Sequence, residues 1–178
     1  MKSLNLMAIS LAICLFATQT YAQATKIEYV SKIIEQPDAP IKILTYKTSY
    51  GMHSKIAMVG EKTEGVRHQT EYQNISQRGI LAVQIEYEMF NVFDEYLGSS
   101  WAVKTDYLKP NDKDKSDGVA DQGFTFLTGV AFVSKVRFDN GEVWHANLDA
   151  IAQELAKIDK AFQASTLKPK SGSDGLQK

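Results

Sequence analysis

The chain carries one cysteine, Cys14, and it falls inside an N-terminal stretch with the grammar of an export signal. Removing that stretch leaves no thiol. This excludes disulfide scaffolds, thiol catalysis, CxxC redox chemistry and zinc–thiolate sites. Charge of one sign is lacking too: 20 basic residues stand against 21 acidic ones, a formal net charge of −1. That balance gives no bulk electrostatic reason to bind nucleic acid or an acidic membrane. Long hydrophobic runs are missing as well. The longest spans 4–16, is interrupted by Asn5 and Ser10, and falls short of the ~20 residues a spanning helix needs. Several catalytic and phosphate-binding signatures are also absent: HExxH, GxSxG, GxxxxGK and GxGxxG.

What is present begins with that leader. Lys2 supplies a positive start, the apolar run follows, and Thr18-Gln19-Thr20 turn polar before Ala22 and Ala24. The pattern predicts a signal peptide over 1–22, cleaved after Ala22 or Ala24, with no membrane anchor afterwards. Leu11-Ala12-Ile13-Cys14 has a faint likeness to a lipoprotein box, but Ile13 is too large before the cysteine and the apolar run continues past it. Export without disulfides leaves stability to the hydrophobic core, which suits a bacterial periplasm better than a eukaryotic extracellular fluid. The expected location is the periplasm or the medium. Asn74-Ile75-Ser76 is a glycosylation sequon, of little weight in a bacterial host.

The remaining length suits one domain over 25–164. Strands are expected over 27–34, 41–50, 54–59, 66–73, 80–93, 101–107, 130–138 and 142–146. In 80–93, Leu81, Val83, Ile85, Tyr87 and Met89 alternate with Ala82, Gln84, Glu86 and Glu88, so one face is buried and one wet. The alternation slips at 90–93, implying a bulge, a twist or burial on both faces. Asp139-Asn140-Gly141 predicts a hairpin turn, because Asn-Gly tolerates the positive φ of a type I′ turn. Residues 109–123 read as a long polar loop. Asn147 is a helix cap, and Ile151, Leu155, Ile158 and Phe162 share one stripe, predicting a helix over 148–163. Residues 165–178 read as a disordered tail. The expected fold is mainly β: an antiparallel, immunoglobulin-like β-sandwich with one C-terminal α-helix.

Three groups of residues could carry function. Phe90, Tyr96 and Trp101 fall out of phase with the buried set. Exposed beside Glu86 and Glu88, they would form an apolar patch with a polar rim, the anatomy of a protein-binding surface. Glu86 and Glu88, two apart on one strand face, also have the spacing of an acid/base pair. Asp112, Asp114 and Ser116 occupy the first, third and fifth positions of a calcium-loop pattern. That pattern then lacks its glycine, replaced by Asp117, and its glutamate, replaced by Gly123. His53, His68 and His145 show no metal-ligand spacing.

The stretch from Asn74-Ile75-Ser76 through Ile80, Val83, Ile85 and Tyr87 to Phe93-Asp94-Glu95-Tyr96-Leu97-Gly98 resembles the FxLYD-type immunoglobulin-like modules of exported bacterial proteins. The segment 136–144 resembles the closing hairpin of many such proteins. The resemblance implies a sandwich fold and carries over no catalytic residue.

The favoured reading is a non-enzymatic exported protein, a protein-binding or envelope accessory module whose partner is an unidentified envelope protein and which uses no cofactor. The alternatives are a small-ligand or divalent-cation module built on 109–123, and a hydrolase with fold-assembled acids and histidines.

Overall fold

The computed structural model describes residues 27–54, 62–120 and 125–167. The expected export signal, most of the expected strand 54–59 and the tail from 168 onward lie outside them. Eight strands are described: β1 (Val30–Ile33), β2 (Ile41–Ser54), β3 (Lys62–Asn74), β4 (Ile80–Asn91), β5 (Tyr96–Lys104), β6 (Lys113–Ala120), β7 (Phe126–Phe138) and β8 (Val143–His145). Two short helices follow, α1 (Leu148–Leu155) and α2 (Ala164–Leu167). Sheet A runs β1-β7-β4-β5, with β8 also on β7, and sheet B runs β2-β3-β6. Every pairing is antiparallel except β1 with β7. The expected two-sheet, mainly β architecture with a C-terminal helix is the one observed.

The sheets close on a core of alternate residues from facing strands: Ile41, Ile43 and Tyr46 from β2, Tyr72 from β3, Val83, Ile85 and Tyr87 from β4, and Ala131, Val133 and Val136 from β7. A register shift between Ile43 and Thr45 moves the inward phase of β2 from odd to even positions. A second shift, between Ile80 and Ala82, sets Ile80 inward and leaves Leu81 exposed, contrary to the simple alternation. One extra residue in a strand turns every later side chain to the other face.

Polar side chains sit at the centre of this core. Tyr46 Oη lies 2.7 Å from His68 Nδ1. The His68 ring stacks 4.5 Å from Tyr87, and the Tyr87 hydroxyl reaches Thr70 Oγ1 at 2.9 Å. Burial brings the His68 imidazole down to about 4, so it is neutral near pH 7.

Residues 113–120 form a strand rather than part of a loop. Ser116, Gly118 and Ala120 pair with Thr70, His68 and Val66 of β3. Ser116 and Ala120 are buried, and Ser116 Oγ lies 3.4 Å from the Tyr87 hydroxyl. The outward residues make a charge ladder with β3: Arg67 Nε donates to Asp117 Oδ1 at 2.9 Å, and Lys115 lies 3.8 Å from Glu71. Low intrinsic β-propensity is overridden by pairing with a strand already in place.

The helix ends at Leu155 rather than continuing to 163. Asn147 caps its start, accepting from the Asp149 and Ala150 amides at 3.1 Å each. After Ala156 the Asp159 side chain captures backbone donors, from Ala161 at 2.8 Å and from Tyr96 at 3.3 Å. Such local bonds compete with helical ones. The chain turns, and Phe162 folds back to lie 6.1 Å from Phe90 and 5.0 Å from Tyr96. Thus Ile151, Leu155 and Phe162 still share one apolar cluster, with Phe90, Val130 and Phe132 beneath them.

Candidate functional site: a groove on the outer face of sheet A

Among the described residues, the C-terminal segment through Leu167 covers only part of the outer face of sheet A. Where the cover stops, a groove of about 730 Å³ opens. Its floor and walls come from Gln84, Glu86 and Glu88 of β4, Tyr96 through Ser99 and Trp101 of β5, Lys135 of β7, and Ser165, Thr166 and Leu167 of α2. A smaller hollow of about 200 Å³ shares Gln84 and Lys135 and runs on past Val103, Arg137 and Val143.

The strand pleat positions these side chains. Glu86 stands directly opposite Trp101 and Glu88 opposite Ser99, while Gln84 faces Lys135 on the other side. Gln84 Nε2 donates to Glu86 Oε1 at 3.0 Å, holding that carboxylate on the groove wall. Trp101 is 67% exposed. Glu88 is 1% exposed, and its Oε2 has no hydrogen-bond partner. Tyr96 and Ser99 of β5 lie beside it in the groove. Burial first, with the neighbouring Glu86 charge adding to it, pushes the Glu88 carboxyl up to about 7 against the opposing influence of the nearby Tyr96 hydroxyl. Lys135 makes no ion pair with a described residue, so the two carboxyls are not neutralised from within the groove.

Of the five residues expected to form a binding surface, Glu86, Glu88, Tyr96 and Trp101 therefore line one groove. Phe90 does not. It is fully buried under α1 and Phe162, because the C-terminal segment covers the end of the face to which it points. Glu88 also departs from the wet face expected of it, for it lies just under the edge of that cover.

The calcium-loop pattern meets a different backbone. Asp112 sits in the turn before β6, its Oδ2 accepting the Lys109 amide at 3.2 Å. Asp114 accepts the Tyr72 hydroxyl at 3.1 Å. Ser116 is buried in the core, 3.4 Å from the Tyr87 hydroxyl. An extended strand spreads these positions along its length, whereas a calcium loop must wrap them around the ion. Among the described residues no group of three or more His, Cys, Asp or Glu side chains converges as a metal site. His68 is in the core, while His53 and His145 are on β2 and β8. The sequon asparagine Asn74 is fully buried. Its Nδ2 donates to the Arg78 and Leu108 carbonyls at 2.8 and 3.1 Å.

Sequence reasoning missed Gln84, Lys135 and α2 as groove residues. Lys135 carried a weak signal, a lone cation after an apolar stretch of β7.

The fold and groove define a two-sheet β-sandwich with a partly covered outer face. No family model matches the chain, and no curated protein matches it. Among solved structures it is similar to a hypothetical protein from Peptoclostridium difficile 630, at 10% identity and a TM-score of 0.48, covering 69% of this chain and 93% of that one. It is also similar to a Northeast Structural Genomics Consortium target, at 14% identity and a TM-score of 0.38, covering 60% of this chain and 80% of that one. Among the described residues no helix is long and apolar enough to cross a membrane.

Proposed function

We propose that the chain is an exported, non-enzymatic binding module that holds an extended segment of an envelope protein in the outer groove of sheet A. The observation that carries this reading is the convergence of Glu86, Glu88, Tyr96 and Trp101 on one groove beside β5, the end strand of its sheet. Trp101 and Val103 both project outward from β5 and are exposed, giving the trough an apolar rail. Its charges are arranged by strand, with carboxyls on β4 and Lys135 and Arg137 on β7. An extended polypeptide bearing both signs of charge complements that arrangement, and the hot spot of such an interface is an aromatic anchor of this kind.

The test is site-specific photo-crosslinking in the native envelope, with a photoreactive amino acid at position 103 on the rail, which leaves Trp101 in place, and, as control, at position 107. Tyr107 is 54% exposed and is not among the groove residues. A product formed from 103, absent from 107 and lost when Lys135→Glu is added, supports the reading. Identical products from both positions, or none from 103, overturns it.

A further inference from the structure

We infer that the groove is a receptor for an arginine side chain on the bound segment, with Glu86 and Trp101 as its contacts and Glu88 as the charge beneath. The inference rests on the binding-module reading and names the chemistry of its central contact.

Two aromatic–carboxyl couples lie side by side in the groove. Trp101 stands across the strand pair from Glu86, and Tyr96 lies beside Glu88 in the groove. An aromatic face beside a carboxylate suits an organic cation, since the ring quadrupole and the acid attract the same charge. A guanidinium fits better than an ammonium here. It is planar, lies flat on an indole and presents a fork of donors to a carboxylate. The Trp101 face is available, being 67% exposed, and the Glu86 carboxylate is held on the groove wall by Gln84 at 3.0 Å.

The second observation is a buried, unpartnered oxygen at the groove floor. Glu88 lines the groove, is 1% exposed and has an Oε2 without a partner. An orphaned buried carboxyl oxygen costs stability unless something supplies the missing charge or donor. The ionisable groups around it are Glu86 on its own strand, Tyr96 on β5 and Lys135 across the groove from β7. Lys135 bonds to neither acid. A guanidinium seated between Trp101 and Glu86 would bring a positive charge over the Glu88 carboxyl and favour its ionised form. The raised carboxyl value of about 7 then predicts proton release on binding.

The test uses the full chain and two probes, N-acetyl-arginine amide and its neutral isostere N-acetyl-citrulline amide. Binding is followed through the Trp101 indole N–H resonance, assigned with Trp101→Phe. Millimolar affinity is expected for so small a ligand. The arginine probe should bind about tenfold more tightly than citrulline, and about tenfold more tightly at pH 8 than at pH 6. Glu86→Gln and Glu88→Gln should each weaken it about tenfold. Equal binding of the two probes, no response to arginine, or no loss in either variant overturns the inference. If the crosslink from position 103 persists in any of those cases, the groove is a binding face with different chemistry. If that crosslink is absent as well, both readings fall.

Discussion

Replacing Glu88 with glutamine exchanges a buried carboxyl for its neutral isostere, and the effect on stability depends on pH in a way that can be worked out beforehand. Burial lifts the Glu88 carboxyl from 4.5 to about 7 in the folded chain. A group whose folded value lies above its unfolded one contributes fully below the unfolded value and loses that contribution as pH rises through the folded value. For Glu88 the loss therefore runs from pH 4.5 to just above 7, and its full size is about 3 kcal/mol. Glutamine carries no such penalty. Entry of water into the open groove reduces the difference, so a gain of about 1–3 kcal/mol is expected at pH 8, with no gain at pH 4. His68 works in the opposite sense. Its folded value of about 4 lies below the ordinary 6.5, so its contribution is complete above 6.5 and is lost as pH falls through 4. In the parent chain the two slopes oppose each other between pH 4.5 and 6.5. In Glu88→Gln the His68 slope is unmasked, and stability climbs by about 2 kcal/mol across that interval, where the parent's stays nearly level. Urea denaturation at pH 4, 6 and 8, followed by circular dichroism, measures the difference. Parallel stability curves for the two proteins, or a less stable variant at pH 8, would refute the reasoning. A residue whose removal stabilises the fold is the usual mark of a side chain retained for binding.

Two further predictions concern the parts that build the groove. Phe90→Ala should cost about 3–5 kcal/mol, because the ring is fully buried under Phe162 and α1. Hydrogen exchange should show α1 opening before the rest of sheet A, and protection of α1 equal to the parent's would contradict the covering role given to this segment. Tyr46→Phe removes the partner of His68 Nδ1 and should cost about 1–3 kcal/mol in denaturant melts at pH 7, since a buried polar atom then goes unsatisfied. An unchanged midpoint would show that the hydrogen bond contributes nothing net.

Much of the fold was legible because its signals are local. The alternation over 83–87, the turn at Asn140-Gly141 and the Asn147 cap each act within a few residues, and the structure keeps them, though Gly141 alone takes positive φ where a type I′ turn would need it at Asn140 too. Strand 113–120 was not legible. Its sequence, KDKSDGVA, has weak β-propensity, and it is held extended by pairing with β3, whose partner residues lie some forty to fifty positions earlier in the chain. The extent of the helix was hidden for a related reason. The stripe through Ile151, Leu155 and Phe162 is real, but the bond from Asp159 to the Tyr96 amide joins positions 63 apart in sequence.

The sequence by itself determined that the chain is mainly β, that its core is closed by apolar alternation, and that Glu86, Tyr96 and Trp101 fall on one side of their strands. Only the tertiary structure decided which of those outward residues meet solvent. Alternation defines two faces of a sheet, but whether the outer face is open depends on what packs over it. Here the C-terminal segment buries Phe90, roofs Glu88 and leaves Trp101 clear. That division arises from contacts between elements far apart in the chain, and period-two patterning carries no information about them.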